Sequence, residues 1–311
     1  MNNVYTDKNI DPMLIGSDKA CFDSKDYIFE LKFDGVRCLL YYDGKSIDFR
    51  NKRHLQLTDK FPELSNVKQY IKKRCILDGE LHIFNNGVNN FFEVQKRCLT
   101  SDKFKIRLHA NNFPACYTAF DVLYIEDTDL SKTNLISRKK LLDDLIVDSN
   151  IINISRYIDN DGIKLFELAK SNNLEGIVAK RKDSLYYYGK RTKEWIKCKN
   201  LLDDDFIIVG YIDKGKGVLS LILAQYSKNK VLVYKGHVTM GASFKYIKEN
   251  SKKSNECPFE SVPIGNDDAI WIQPHLVGIV KFMEYTSNNG LRQPIFKGFR
   301  NDKNPTDCIE Q

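Results

Sequence analysis

A change of texture near residue 201 constrains the fold of this 311-residue chain more than any other feature. Upstream, short β-rich runs alternate with helical patterns. Strands are predicted at Tyr27–Lys32, Val36–Tyr42, Cys75–Ile83, Ala115–Tyr124, Gly176–Lys180 and Glu194–Lys199, where apolar, β-branched and aromatic residues cluster. Leu130–Val147 and Gly162–Asn172 repeat apolar residues every three or four positions, which predicts amphipathic helices. Downstream, helical periodicity gives way to a succession of strands at Phe206–Ile212, Leu219–Tyr226, Val231–His237 and Leu276–Thr286, separated by turns at Lys214–Gly217 and Ser227–Lys230. The chain exceeds the usual size of one hydrophobic core, and its 42% apolar share can supply two. The expected fold class is therefore α+β over residues 1–201, followed over 202–311 by a small barrel of about five strands, an OB-fold. Between them the acid triplet Asp203-Asp204-Asp205 reads as a solvated linker.

Just after the first predicted strand stands Glu30-Leu31-Lys32-Phe33-Asp34-Gly35-Val36-Arg37, a K-x-D-G-x-R sequence. A lysine with a pKa of roughly 10.4 offers no lone pair at neutral pH until neighbouring cations or a metal lower that value. Asp34 can orient the Lys32 amine or take its proton, Gly35 permits close backbone approach to a ligand, and Arg37 adds a fork for phosphate or ribose oxygens. By themselves these residues equally describe a surface turn with a Lys–Asp pair, continuing as a hairpin through Cys38–Tyr42.

Farther on, strand alternation sets Trp195, Lys197 and Lys199 on one face and Cys198 on the other, so both ammonium groups can enter one phosphate-binding cleft. The alternative is an edge strand with outward lysines, against which the tryptophan argues. Glu80 and Glu175 stand at or near strand ends beside glycines, where two carboxylates could hold a hard divalent cation or serve simply as turn residues. Strict alternation turns Lys180 away from Glu175. Phe120, in an apolar strand, reads as core.

Six segments occur in order: K-x-D-G at Lys32, Leu77-Asp78-Gly79-Glu80-Leu81, Tyr117–Tyr124, Glu175–Arg181, Trp195–Lys199 and Arg300-Asn301-Asp302-Lys303-Asn304-Pro305. Together they resemble motifs I, III, IIIa, IV, V and VI of the covalent nucleotidyltransferase superfamily, which comprises DNA ligases, RNA ligases and mRNA capping enzymes. Arg50-Asn51, Phe61–Leu64, Phe92–Arg97, Ser184–Tyr186 through Gly189–Arg191, and Leu291–Arg300 narrow the resemblance to bacterial ATP-dependent DNA ligases, in particular the ligase domain of the ligase D group. It runs from about residue 10 to the C-terminus.

The resemblance implies an ATP-grasp-like nucleotidyltransferase domain with antiparallel sheets and helices ahead of the OB-fold. It also implies a three-step reaction. Lys32 attacks the α-phosphate of ATP with Mg²⁺ (or Mn²⁺) assistance and releases pyrophosphate, AMP passes to the 5′-phosphate of a nick in duplex DNA, and the 3′-hydroxyl displaces AMP. Lys32, Asp34, Lys197 and Lys199 would then be catalytic, Glu30 would read the base, Phe120 would stack on the purine, and Arg37 and Arg50 would reach the nucleotide. Glu175 would serve the metal and Glu80 either metal or ribose. Arg300 and Lys303 would orient the pyrophosphate when the second domain closes about a hinge at Leu201–Asp205. Arg97 would serve phosphate or lie on an exposed helix surface. Related ligases often carry an acid in the strand before the last motif, where this chain has Gly278-Ile279-Val280. A capping guanylyltransferase or RNA ligase shares K-x-D-G, and a non-catalytic DNA-binding protein could share the fold; adduct formation with ATP against GTP separates these readings.

Lysine and arginine outnumber aspartate and glutamate by 48 to 41, a formal charge of +7 that favours a polyanionic partner such as nicked duplex DNA. Eight cysteines without a C-x-x-C pair argue against structural zinc and for reduced thiols. No apolar run reaches roughly 18 residues, and the first residues lack signal-peptide character. The expectation is a monomer off the membrane, in the bacterial cytoplasm and nucleoid, with end-joining or repair proteins and any polymerase or nuclease acting in trans.

Overall fold

The computed structural model describes residues 4–85, 88–241 and 244–310. It divides into two units, Met1–Asn200 and Leu201–Gln311. In chain order the first unit contains α1 (Val4–Asp7), β1 (Leu14–Asp18), β2 (Ser24–Leu31), β3 (Val36–Tyr42), β4 (Ile47–Asn51), β5 (Cys75–Asn85), β6 (Val88–Asn89), α2 (Phe91–Leu99), α3 (Lys103–Asn112), β7 (Ala115–Ile125), β8 (Thr128–Asp129), α4 (Leu135–Leu145), β9 (Ile152–Ile154), β10 (Tyr157–Asn160), α5 (Gly162–Ser171), β11 (Gly176–Arg181) and β12 (Arg191–Lys199).

These strands form two mainly antiparallel sheets, ordered β1-β12-β11-β2-β10 and β4-β3-β5-β7-β8, with β6 on β5 and β9 on β7. Both faces of each sheet are covered, which explains why their strands read as apolar runs rather than alternating ones. On the outer face of the larger sheet, Leu77, Leu81, Tyr117 and Val122 pack against Leu142 and Leu145 of α4. Its inner face contributes Leu39, Tyr41, Ile76 and Leu123 to a cluster with Val178, Tyr186 and Trp195 from the other sheet's side. Beyond the smaller sheet, Leu165 and Ala169 of α5 meet Phe29, Ile177, Ala179, Ile196 and Cys198.

The predicted helix at Leu130–Val147 shortens to α4. Asn134 sets its start, because its side-chain oxygen accepts the Ser137 N–H at 2.9 Å. Helices α1, α2 and α3 of this unit escaped the prediction, the last two each opened by an Asn or Asp cap.

In the second unit, β13 (Leu202–Asp213), β14 (Val218–Tyr226), β15 (Leu232–Gly241), α6 (Phe244–Asn250), β16 (Ile270–Phe282) and β17 (Ile295–Arg300) follow one another. The strands make one antiparallel sheet ordered β15-β14-β13-β16-β17. Among the described residues no ladder joins β15 to β17, so the sheet is curved and five-stranded rather than a closed barrel. One face packs Phe206, Leu221, Leu223, Val238, Val280 and Phe282 together, the other Ile207, Val209, Ile222 and Val277.

The acid triplet is not a linker. Leu202 through Asp205 pair with Phe282 back to Ile279 of β16. Asp203 stays exposed, while Asp204 and Asp205 find partners from elsewhere in the unit: Gln225 Nε2 and Tyr285 OH donate to Asp204 at 2.9 and 3.1 Å, and Arg300 donates to Asp205 at 3.1 Å. No helix of the described residues is long and apolar enough to cross a membrane.

Candidate active site

Between the two sheets of the first unit lies a cavity of about 230 Å³, lined by Glu30, Lys32, Arg37, Glu80, Phe120, Lys180 and Trp195 among others. Lys32 enters it from the end of β2, where its backbone N–H donates to the Gly176 carbonyl at 2.9 Å. The side chain continues the same link, with Nζ donating to Glu175 Oε2 at 2.6 Å. Gly176 lets β11 begin close against β12: its φ is +132°, and a Cβ there would sit 2.1 Å from the Cys198 carbonyl oxygen. A Cβ at Gly35 would lie 2.1 Å from the Leu81 carbonyl oxygen, so the glycine seats the Lys32 loop on β5. The Asn89 amide fixes that loop further by donating to the Asp34 carbonyl at 2.6 Å.

Arg37 grips Asp78 with two hydrogen bonds, Nε to Oδ1 at 3.0 Å and Nη2 to Oδ2 at 2.6 Å, while Tyr186 OH donates to Oδ2 at 2.6 Å. The guanidinium is held 5.4 Å from the Phe120 ring centroid and 5.7 Å from that of Trp195. Across the β3–β5 ladder from Arg37 stands Glu80. Burial pushes its carboxyl up to about 8 against the pull of Lys32 and Arg37, with Glu175 and Asp78 adding to the rise. Burial also raises Glu175, opposed by Lys32. Two carboxylates, Glu80 in the cavity wall and Glu175 on the Lys32 amine, each close enough to Lys32 to feel its charge, fit a hard divalent cation that would take its other ligands from water and phosphate. Among the described residues no group of three or more His, Cys, Asp or Glu is arranged for a metal.

Alternation left Lys180 aside as a site residue, yet it lines the cavity. Glu175 precedes β11 and meets the Lys32 amine without lining the cavity, while Lys180 points into the cavity from the strand itself. Its Nζ lies 4.5 Å from the Phe120 centroid and 4.4 Å from that of Trp195, and donates to Glu30 Oε2 at 2.9 Å. Glu30 is 2% exposed. Burial works against its charge, but Lys139 and Lys180 outweigh it and hold the carboxyl below its ordinary range. Trp195, also missed as a lining residue, is buried and meets Phe120 edge-on at 6.0 Å.

Lys197 and Lys199 lie on the Trp195 face of β12 but do not line the cavity. Lys197 Nζ is 3.7 Å from Asp18 Oδ2. Desolvation and the charges of Lys197 and Lys32 push Lys199 down, opposed by Glu175, which places it in the same electrostatic neighbourhood as Lys32. Arg50 is elsewhere, donating to Asp48 at 3.1 Å and to the His54 carbonyl at 3.0 Å. Arg97 takes neither of its expected roles. It is fully buried and ties α2 to Glu63 and to the His109 and Phe113 carbonyls. In the second unit Arg300 pairs with Asp205 at 3.1 Å and Asp302 at 2.6 Å, and Lys303 Nζ lies 3.6 Å from Asp205.

Residues 12–199 match the family described as ATP dependent DNA ligase domain, and residues 214–303 match the ATP dependent DNA ligase C terminal region. The SPbeta prophage-derived DNA ligase-like protein LigB of Bacillus subtilis is 30% identical over 291 residues, covering 94% of this chain and 99% of that protein. The multifunctional non-homologous end joining DNA repair protein LigD of Mycobacterium tuberculosis is 28% identical over 324 residues; the alignment takes in 99% of this chain but only 41% of LigD. The crystal structure of the ligase domain from M. tuberculosis LigD superposes with a TM-score of 0.56 at 26% identity, covering 97% of this chain and 99% of that one. A mycobacterial DNA ligase D complexed with ATP and MES gives 0.55 at the same identity and coverage. Matched to both family regions in chain order, and aligned nearly end to end with a relative at 30% identity, the chain belongs to the ATP-dependent DNA ligase family.

Proposed function

We propose that Lys32 is the nucleophile of this ATP-dependent DNA ligase, which seals nicks through a covalent intermediate. The observation that carries the assignment is the Lys32 amine at the cavity, bonded to Glu175 at 2.6 Å with Lys199 nearby. When the amine attacks the α-phosphorus of ATP, an N–P bond forms, the bond to pyrophosphate breaks and the amine loses a proton. Glu175 is the acceptor already in contact with it. Lys197 and Lys199 neutralise phosphate charge, and Asp34 orients the loop. Glu30 and Phe120 take the base, Arg37 and Glu80 the ribose or phosphates. A divalent cation, Mg²⁺ or Mn²⁺, would be held by Glu80 and Glu175 and would supply charge neutralisation at the phosphates. Arg50 reaches phosphate only if its pair with Asp48 opens.

In this reading residues 1–201 are the adenylation domain, and residues 202–311 an OB-fold whose Arg300 and Lys303 orient the leaving pyrophosphate. The substrate is nicked duplex DNA, gripped mainly through phosphates. The setting is repair or end joining in the bacterial cytoplasm and nucleoid, the enzyme working as a monomer with partner proteins in trans. The chain spans about two fifths of LigD, so LigD's other activities are not carried over.

Incubation with α-³²P-ATP and Mg²⁺ tests the nucleophile. The wild-type chain should form an acid-labile AMP adduct that GTP does not give. Lys32→Ala should form none, yet still seal a nick adenylated beforehand on its 5′-phosphate. An AMP adduct surviving in Lys32→Ala would move the nucleophile elsewhere.

A further inference from the structure

Arg300 closes β17, and Asn301 to Asn304 follow it as a bend outside the ladders of the described residues. The two cations proposed to orient the leaving pyrophosphate, Arg300 and Lys303, thus stand where the sheet ends. A chain leaving a sheet holds one direction only where other groups fix it. Acids do part of this work: Arg300 donates to Asp205 at 3.1 Å and to Asp302 at 2.6 Å, and Lys303 Nζ lies 3.6 Å from Asp205. A tyrosine outside the six motif segments does the rest.

Tyr246 extends from α6 and meets the end of β17 twice. Its ring stacks on Phe299, with centroids 4.2 Å apart and planes 22° from parallel, and its hydroxyl donates to Asn301 Oδ1 at 2.9 Å. Phe299 and Asn301 are the two chain neighbours of Arg300. Alternation along an extended backbone sets them on one side and Arg300 on the other, so a single side chain pins both flanks of the arginine and leaves its guanidinium directed the opposite way. Phe296 backs the stack, edge-on to Phe299 at 5.0 Å. The helix that carries the tyrosine is itself anchored at two points. Ile247, the next residue, is buried in the core of the sheet, and the Asn250 carbonyl at the helix end lies 2.7 Å from His275 Nε2.

We infer that Tyr246 is a positioning residue for the pyrophosphate-releasing step, aiming Arg300 through Phe299 and Asn301 without touching ATP itself. The cation it aims matters while pyrophosphate is present, so the effect of Tyr246 belongs to adenylation and not to sealing. The inference rests on the reading of Arg300 and Lys303 as the cations that orient pyrophosphate.

The test measures adduct formation from ATP, its reversal by pyrophosphate, and sealing of nicks that already carry AMP, all on the full chain. In the reversal, pyrophosphate attacks the phosphorus of the Lys32–AMP bond, the N–P bond breaks, and ATP and the free amine are regenerated. Tyr246→Leu loses both contacts and should slow adduct formation about tenfold or more, within the roughly 100-fold that misplacing a group can cost. It should raise the KM for pyrophosphate in the reversal by a similar factor, and leave sealing of adenylated nicks within about twofold of wild type. Tyr246→Phe keeps the stack and should slow adduct formation about fivefold, the worth of one neutral hydrogen bond. Asn301→Ala should match it, and the two together should be no worse than either alone. These milder variants carry the test should Tyr246→Leu not fold. Equal losses in adduct formation and sealing, or losses that add in the double variant, would make Tyr246 merely structural and overturn the inference. Unchanged adduct formation in every variant beside a slow Arg300→Ala would overturn it with the reading of Arg300 intact, whereas an Arg300→Ala chain that forms the adduct at the wild-type rate would overturn that reading and the inference together.

Discussion

Asp78 shows how burial ranks ion pairs in this protein. It is fully buried, and three hydrogen bonds converge on its carboxylate, two from Arg37 and one from Tyr186. Asp78→Ala would strand a guanidinium and a phenol in a low-dielectric wall of the cavity. It should destabilise the chain by about 3–5 kcal/mol, the usual result of removing one partner from a buried pair. By contrast, Arg156 and Asp143 are both well exposed although only 2.7 Å apart, so Asp143→Ala should cost no more than about 1 kcal/mol. Urea unfolding of both variants checks the ranking, and similar values for the two would show that Asp78 is not enclosed as described.

At the scale of elements, the β14–β15 ladder carries a pH signature. Ser220 Oγ and His237 Nδ1 stand 2.9 Å apart across it. Burial pushes the His237 imidazole below its ordinary value, against a hydrogen bond with Asn266. The folded state therefore binds this proton less readily than the unfolded chain. The stability linked to His237 is fully present above the ordinary histidine pKa of roughly 6.5 and is lost as pH falls below it toward the depressed folded value. Unfolding measured between pH 7.5 and 5 should show a slope in this range that His237→Gln reduces; an unchanged slope would mean that the imidazole is not held neutral. The β13–β17 side of the same sheet shows the opposite use of charge. There Asp205 sits among Arg300 and Lys303, an arrangement that turns a run of acids into part of a ladder.

For the whole molecule, the residues proposed for the chemistry divide between the two units. The Lys32 cavity is built entirely from the first unit, whereas Arg300 and Lys303 belong to the second. If those cations orient the leaving pyrophosphate, Arg300→Ala combined with Lys303→Ala should slow adenylation by ATP about 100-fold or more, the scale of losing charge-stabilising donors in a transition state. Sealing of nicks that already carry AMP should fall far less. Rates for the two steps measured on the same preparation decide it, and equal losses would make the second unit chiefly a clamp on DNA.

The sequence by itself determined the order of the parts: the strand leading to Lys32, the glycine-flanked acids, the Trp195–Lys197–Lys199 face and the strand-rich texture after residue 201. These are local, carried by periodicity and by residue types that few other conformations tolerate, and strands such as β3 fell on their predicted residues. What escaped it depended on partners distant along the chain. The triplet Asp203–Asp205 looked solvated throughout because the donors to Asp204 and Asp205, namely Gln225, Tyr285 and Arg300, come from later strands and loops. Arg97 looked like a surface or phosphate residue until Glu63 and two carbonyls enclosed it. Lys180 drew little notice because alternation shows which face it takes but not that Glu30, Phe120 and Trp195 meet it there. Lys139 gave no signal at all, a lysine in an ordinary helix whose buried partner lies 109 positions earlier. Periodicity reports which side of an element is buried; only the tertiary structure decides which charges meet there, because burial makes a charge tolerable only where another part of the chain supplies its counterpart.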